Sequence, residues 1–108
     1  MKGFQLTFYT HENRQHKGIL LYEWLLERAK KFAVPGGSVF QASAGFGRHG
    51  IIHEEHFFEL AANVPVIVTF ILDEEKCADF IQLVEQENLS IFFTKIPLEY
   101  GVLNGTIE

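Results

Sequence analysis

Residues Ser43–His56 read SAGFGRHGIIHEEH, and Gly45, Gly47 and Gly50 within them spell G-x-G-x-x-G. That spelling is the dinucleotide-binding fingerprint, in which the glycines join a strand to a helix and a phosphate sits on the helix N-terminus. If a helix follows the glycines, the chain is a doubly wound nucleotide fold; if a loop follows, it is something else. A strand signal precedes them at about Ser38–Ala44, and another follows at Val64–Leu72. Asp73 then lies about where a ribose-binding acid would fall. Three observations nevertheless favour the loop. Residues 51–62 lack an apolar stripe, because their faces read Ile51, Glu55, Phe58 or Ile52, His56, Glu59. A full strand and helix come before the fingerprint, which normally opens its fold. Asp73 has a sufficient role as the cap of the next helix, worth about 1 kcal/mol.

The flanking segments supply the remaining elements. Phe4, Leu6 and Phe8 alternate with Gln5, Thr7 and Tyr9, the pattern of a half-buried strand. THENRQHKG (residues 10–18) has no period and reads as a loop. Between Ile19 and Ala33, Leu21, Trp24, Leu25, Ala29 and Phe32 have helical spacing, and Pro35 with its following glycines is expected to end that helix. Arg28, Lys30 and Lys31 fall in its last turn, where they complement the dipole. Behind Asp73, with Glu74 and Glu75 in the first turn, Cys77, Phe80, Ile81 and Val84 follow i, i+3, i+4, i+7. Ile91–Leu98 is the last strand, and residues 101–108 form a loose tail.

With a loop at 47–63 the order is βαββαβ, the ferredoxin-like split unit: an α+β sandwich with a four-stranded antiparallel sheet and two helices on one face. Two helices cover only one face, yet Val66, Val68 and Phe70 alternate with Ile67 and Ile71, so both faces are apolar. Soluble monomers seldom expose such a surface, and self-association through the open face is expected.

Size and composition agree. The chain of 108 residues is expected to form one domain spanning 1–108, and its 47% apolar content suits an ordinary core. A net charge of −5 argues against nucleic acid, whose non-specific affinity comes from basic residues. The lone Cys77 excludes an internal disulfide framework. No secretory leader is expected, because the start turns polar early. The longest apolar run, Val64–Leu72, is too short to span a bilayer. A cytoplasmic location without membrane insertion is therefore expected.

With this architecture the residues resemble a known group. MKGFQLTFYTHEN, GILLYEWLLERAK, GGSVFQASAGFG, IIH and VPVIVTFILDEEK occur in the order of the PII-like proteins of domain-of-unknown-function family 190. The resemblance extends to about Leu103, and its most specific parts are Gly45-Phe46-Gly47, His53, Pro65 and Asp73. It implies a PII-like fold, a homotrimer with ligand clefts between subunits, and a flexible loop over residues 47–63. That loop would touch a small-molecule effector and dock on a regulated enzyme or transporter. The chain departs from the family pattern at Leu20, where proline is usual, and at Gln41 or its neighbour, where an arginine is usual. The glycine and basic signatures by which PII proteins hold ATP phosphates are absent.

The resulting expectation is a signalling protein that binds a small anionic effector, such as an adenine nucleotide. Arg48 between Gly47 and Gly50 is the leading anion contact, because a guanidinium beside accessible backbone N–H groups suits phosphate or carboxylate. Gly45, Phe46 and His53 belong to the same segment, and Glu12 and Arg14 follow the first strand near the same cleft. The alternative is a metal-binding trimer resembling cation-tolerance proteins, with His49, His53 and His56 holding zinc or copper. HEEH is one residue short of the H-E-x-x-H spacing, so no zincin motif is present. No triad or Cys-His arrangement is recognisable, and no enzyme activity is expected. The identity of the effector or of any cofactor is not expressed in these residues.

Overall fold

The computed structural model describes residues 1–46, 52–54 and 64–105. Strand β1 (Lys2–His11) lies near the centre of a four-stranded sheet, because Leu6, Phe8 and Thr10 turn inward on alternate positions. A two-residue strand β2 (Gln15–His16) pairs with β3 (Ile19–Leu20) through a turn at Lys17 and Gly18. Both turn residues have positive φ, 52° and 83°. That combination gives a tight hairpin the twist its strands require. The expected loop at 10–18 thus contains a small hairpin, which also displaces the predicted helix start from Ile19.

Helix α1 spans Leu21–Lys31 and buries Leu21, Trp24, Leu25 and Ala29, most of the set expected from spacing. It ends before Pro35. Ala33 adopts the left-handed conformation at φ 58°, its N–H donates to the Lys30 carbonyl, and Val34 N–H donates to the Ala29 carbonyl. These two bonds are a Schellman closure, which satisfies carbonyls that the helix leaves without partners. The expectation that Pro35 and the glycines stop the helix is corrected accordingly. Strand β4 (Gly36–Gln41) follows and breaks at Ala42–Ser43. The predicted strand Ser38–Ala44 is therefore split. Its end belongs to β5 (Ala44–Phe46), which pairs with β6 (Ile52–Glu54).

Strand β7 (Pro65–Asp73) alternates without exception, burying Val66, Val68, Phe70 and Leu72. Asp73 caps helix α2 (Glu74–Gln86) by accepting the Lys76 backbone N–H at 2.7 Å. Cys77, Phe80 and Val84 form its buried stripe. Strand β8 (Phe92–Glu99) completes the sheet, whose order is β4-β7-β1-β8 with every neighbour antiparallel. This is the ferredoxin-like arrangement. It excludes the Rossmann unit, because the strands flanking the glycine segment, β4 and β7, are antiparallel neighbours rather than parallel ones.

Both helices pack on one face, where their buried residues join Leu6, Phe8, Val68, Phe70 and Leu72 in one core. Phe8, Phe70 and Phe80 meet edge to face at its centre, with centroids 5.5 to 6.4 Å apart. Such contacts add about 0.5–1.5 kcal/mol each to the burial of the rings. Among the described residues no helix packs on the opposite face. Across it run Phe40, Ile67, Tyr9 and Phe92, one from each strand, in a single cross-strand row. Phe40 is 54% and Phe92 51% exposed, whereas a monomer's core would hide both. Beside that row lies a hydroxyl row in which Thr7 and Thr69 share a 3.0 Å hydrogen bond. No helix among the described residues is long and apolar enough to cross a membrane.

Candidate functional site

Three segments converge where β1 ends and β7 begins. His11 stands opposite Pro65, Glu12 N–H donates to the Val64 carbonyl at 2.7 Å, and Ala42 N–H donates to the Pro65 carbonyl at 2.9 Å. These backbone bonds bring the β1–β2 connection, the end of β4 and the start of β7 to one end of the sheet. The Glu12 carboxylate accepts the Gln41 side-chain amide at 3.4 Å, a long, exposed bond that, among the described residues, leaves most of its acceptor capacity unused.

Arg14 sits two residues further on. Its N–H donates to the His11 carbonyl at 3.2 Å, and its own carbonyl accepts Leu21 N–H at 2.7 Å. The second bond matters locally, because Leu20 offers no side-chain cap to α1. The backbone of Arg14 is thereby fixed at both ends. The residue is half-buried, and among the described residues its guanidinium has no hydrogen-bond or ion-pair partner. A guanidinium with no carboxylate in place among the described residues is chemically suited to a phosphate, carboxylate or bicarbonate oxygen.

The hairpin of β5 and β6 begins two residues beyond Ala42, and its register sets Gly45 directly opposite His53. Glu12, Arg14, Gly45, Phe46 and His53 thus belong to segments rooted at this end of the fold. Gly47, Arg48, His49, Gly50 and His56 lie outside the described residues. Gly45 does not have a positive φ, and a Cβ built there meets nothing within 4 Å. It is an ordinary strand residue and tolerates a side chain. Among the described residues no group of three or more His, Cys, Asp or Glu side chains is placed to hold a metal.

Two basic residues whose pairing the sequence does not reveal, His16 and Lys17, support this end of the molecule. Glu87, which follows α2, receives His16 Nε2 and Lys17 Nζ on the same oxygen, each at 2.8 Å. Their hydrogen bonds, that of Lys17 foremost, hold the Glu87 carboxyl below the ordinary carboxylate range. The His16 ring also stands edge-on to Trp24 with centroids 4.8 Å apart. The signal available in the sequence was Lys17-Gly18, a turn pair, but the partner is 71 residues from His16. Gln41 was equally hidden, being visible only as a departure from the family pattern. Burial pushes the Cys77 thiol up, with nearby Lys95 opposing the shift. A buried thiol of that kind acts as a small apolar side chain rather than a nucleophile.

Known proteins share this architecture. The profile of DUF190, described as an uncharacterised ACR family, matches residues 3–94. A UPF0166 protein of Aquifex aeolicus is 38% identical over 77 residues, 71% of this chain and 73% of the relative. A second, from Methanocaldococcus jannaschii, is 30% identical over 75 residues, covering 69% and 68%. Among solved structures, CPII from Thiomonas intermedia, a nitrogen regulatory PII-like protein bound to ADP, AMP and bicarbonate, superposes with a TM-score of 0.61 at 18% identity. A structure of CPII with ADP and bicarbonate gives 0.58 at 19% identity, and each alignment covers 91% of this chain and 89% of the other.

Proposed function

The chain belongs to the DUF190 family, and from that premise we propose that it is a PII-like regulator binding a small anionic effector at the end of the sheet where Glu12, Arg14 and Gln41 meet. The observation that carries this reading is Arg14, a half-buried residue whose guanidinium has no hydrogen-bond or ion-pair partner among the described residues. The effector is an adenine nucleotide, a small inorganic anion, or both together. The PII-like neighbour CPII, crystallised with ADP, AMP and bicarbonate, supports that choice. The role is binding rather than catalysis.

The protein acts as one domain over residues 1–108 and assembles as a cytoplasmic homotrimer through the open sheet face. That assembly places the Arg14 end of each sheet in a cleft against a neighbouring copy. Arg48, with Gly47 and Gly50, supplies further anion contacts from the segment 47–63. Occupancy of the cleft changes how that segment engages a partner enzyme or transporter.

Thermal unfolding and calorimetric titration with ADP and bicarbonate, alone and combined, test this reading. At a ligand concentration a hundredfold above Kd, wild-type protein is expected to gain about 2.7 kcal/mol. Arg14→Ala should lose most of that gain while keeping its unliganded melting temperature. A wild-type protein whose melting point responds to neither compound would sink the proposal.

A further inference from the structure

We propose that Glu87 is a positioning residue for the effector site, acting through Lys17 and His16 on the arm that carries Arg14; this rests on the functional reading above. The geometry is a three-point clasp. One Glu87 oxygen takes both Lys17 Nζ and His16 Nε2 at 2.8 Å. His16 lies two residues from Arg14 and is wedged between that carboxylate and the Trp24 ring. Trp24 is itself in the core and carries the Arg28 guanidinium 5.4 Å from its ring centroid. The hairpin of β2 and β3 is therefore tied to both helices, and Arg14 leads directly into it.

Two local rules are broken at this contact, and in both cases the clasp is the compensation. Lysine is a poor choice at φ 52°, where asparagine or glycine would fit the turn better. A carboxylate is also a poor choice just after α2, because the C-terminal end of a helix carries partial negative charge, and the last turn of α2 contains no basic residue. Neither residue suits its own backbone position; each suits the other. Departures from local preference with a long-range compensation are characteristic of sites retained for function.

Mechanically, the clasp acts on one side chain more than the other. Glu12 is anchored independently through its N–H to Val64, so it remains in place if the arm moves. Arg14 is held instead by its turn bond to His11 and by the bond from Leu21, which reaches it across the hairpin, so its placement depends on where the hairpin sits. Fixing the hairpin preorganises the guanidinium, and preorganisation raises affinity by removing an ordering cost at binding.

The test uses full-length protein and the variants Glu87→Gln, Lys17→Glu, Glu87→Lys and the Lys17→Glu/Glu87→Lys pair. Hydrogen exchange reports the arm at His16–Leu21, and calorimetry with ADP reports the site. Glu87→Gln is expected to speed exchange in the arm by about tenfold, with the core strands unchanged. ADP affinity should fall by about fivefold or more, as expected for lost preorganisation. The charge-reversed pair should recover affinity that each single reversal loses. Faster arm exchange with unchanged ADP affinity would overturn the positioning role, and unchanged exchange would overturn the clasp. If wild-type protein itself ignores ADP, the effector reading fails and takes the positioning role with it. That result is recognisable because wild type and variants then show no ADP binding at all, whereas failure of the positioning role alone leaves all of them binding ADP with equal affinity.

Discussion

Ala33 shows how a single residue can do a job for which it is not the best choice. It holds the left-handed position at the end of α1, where glycine is usual, and a Cβ there costs about 1 kcal/mol. Its carbonyl also accepts Lys76 Nζ at 2.8 Å, which links the end of α1 to the first turn of α2. Because that bond uses only backbone atoms of residue 33, Ala33→Gly keeps it. The variant is expected to be more stable by about 0.5–1 kcal/mol in urea unfolding. A loss of stability would mean that the Cβ contributes packing that outweighs its backbone cost. Gly18 is the opposite case: at φ 83° it occupies a position where any side chain would be strained.

Among the elements, helices were the most legible. Spacing alone named Leu21, Trp24, Leu25, Ala29, Cys77, Phe80 and Val84, and Asp73 marked its helix start, because these signals are local and periodic. The hairpin of β2 and β3 was not legible, since two-residue strands are too short to show a period. The break of β4 at Ala42–Ser43 was hidden for a similar reason: the apolar pattern continues while the hydrogen-bond partner changes from β7 to β6. Of the proposed site, Glu12 and Arg14 were named from their place after β1, whereas the involvement of Gln41 and Glu87 depends on tertiary contact. The clasp has a pH signature. The folded-state pKa of Glu87 lies below its ordinary value of 4.5. Its contribution is complete above that value and is lost as pH falls through the lower folded-state value. Wild type should therefore be more stable than Glu87→Gln at pH 7, and the gap should close as the carboxyl is protonated in acid. Urea melts across that range check this, and a pH-independent gap would contradict the ionic origin of the clasp.

For the whole molecule, the uncovered sheet face sets the terms. Tyr9, Phe40, Phe92 and Ile96 are each 39% exposed or more on that face; the first three lie in one cross-strand row, and Ile96 lies further along β8 opposite Gln5. A second copy laid on this face would bury them together. Wild type is expected to sediment as the proposed trimer in analytical ultracentrifugation, and Phe92→Asp as a monomer. The fold of each chain should survive, since an exposed substitution alters stability by only about 0.5 kcal/mol. An unchanged mass would show that assembly uses another surface. Strand β8 adds a constraint of a different kind. It lies at the sheet edge, and Pro97, opposite Phe4, has no N–H to offer. An incoming strand that began to pair beside Phe93 and Lys95 would find its ladder interrupted at Pro97. Edgewise growth, the route from a sheet protein to a fibril, is thus blunted along this border. Apolar residues can be concentrated on the broad face with less risk of runaway aggregation.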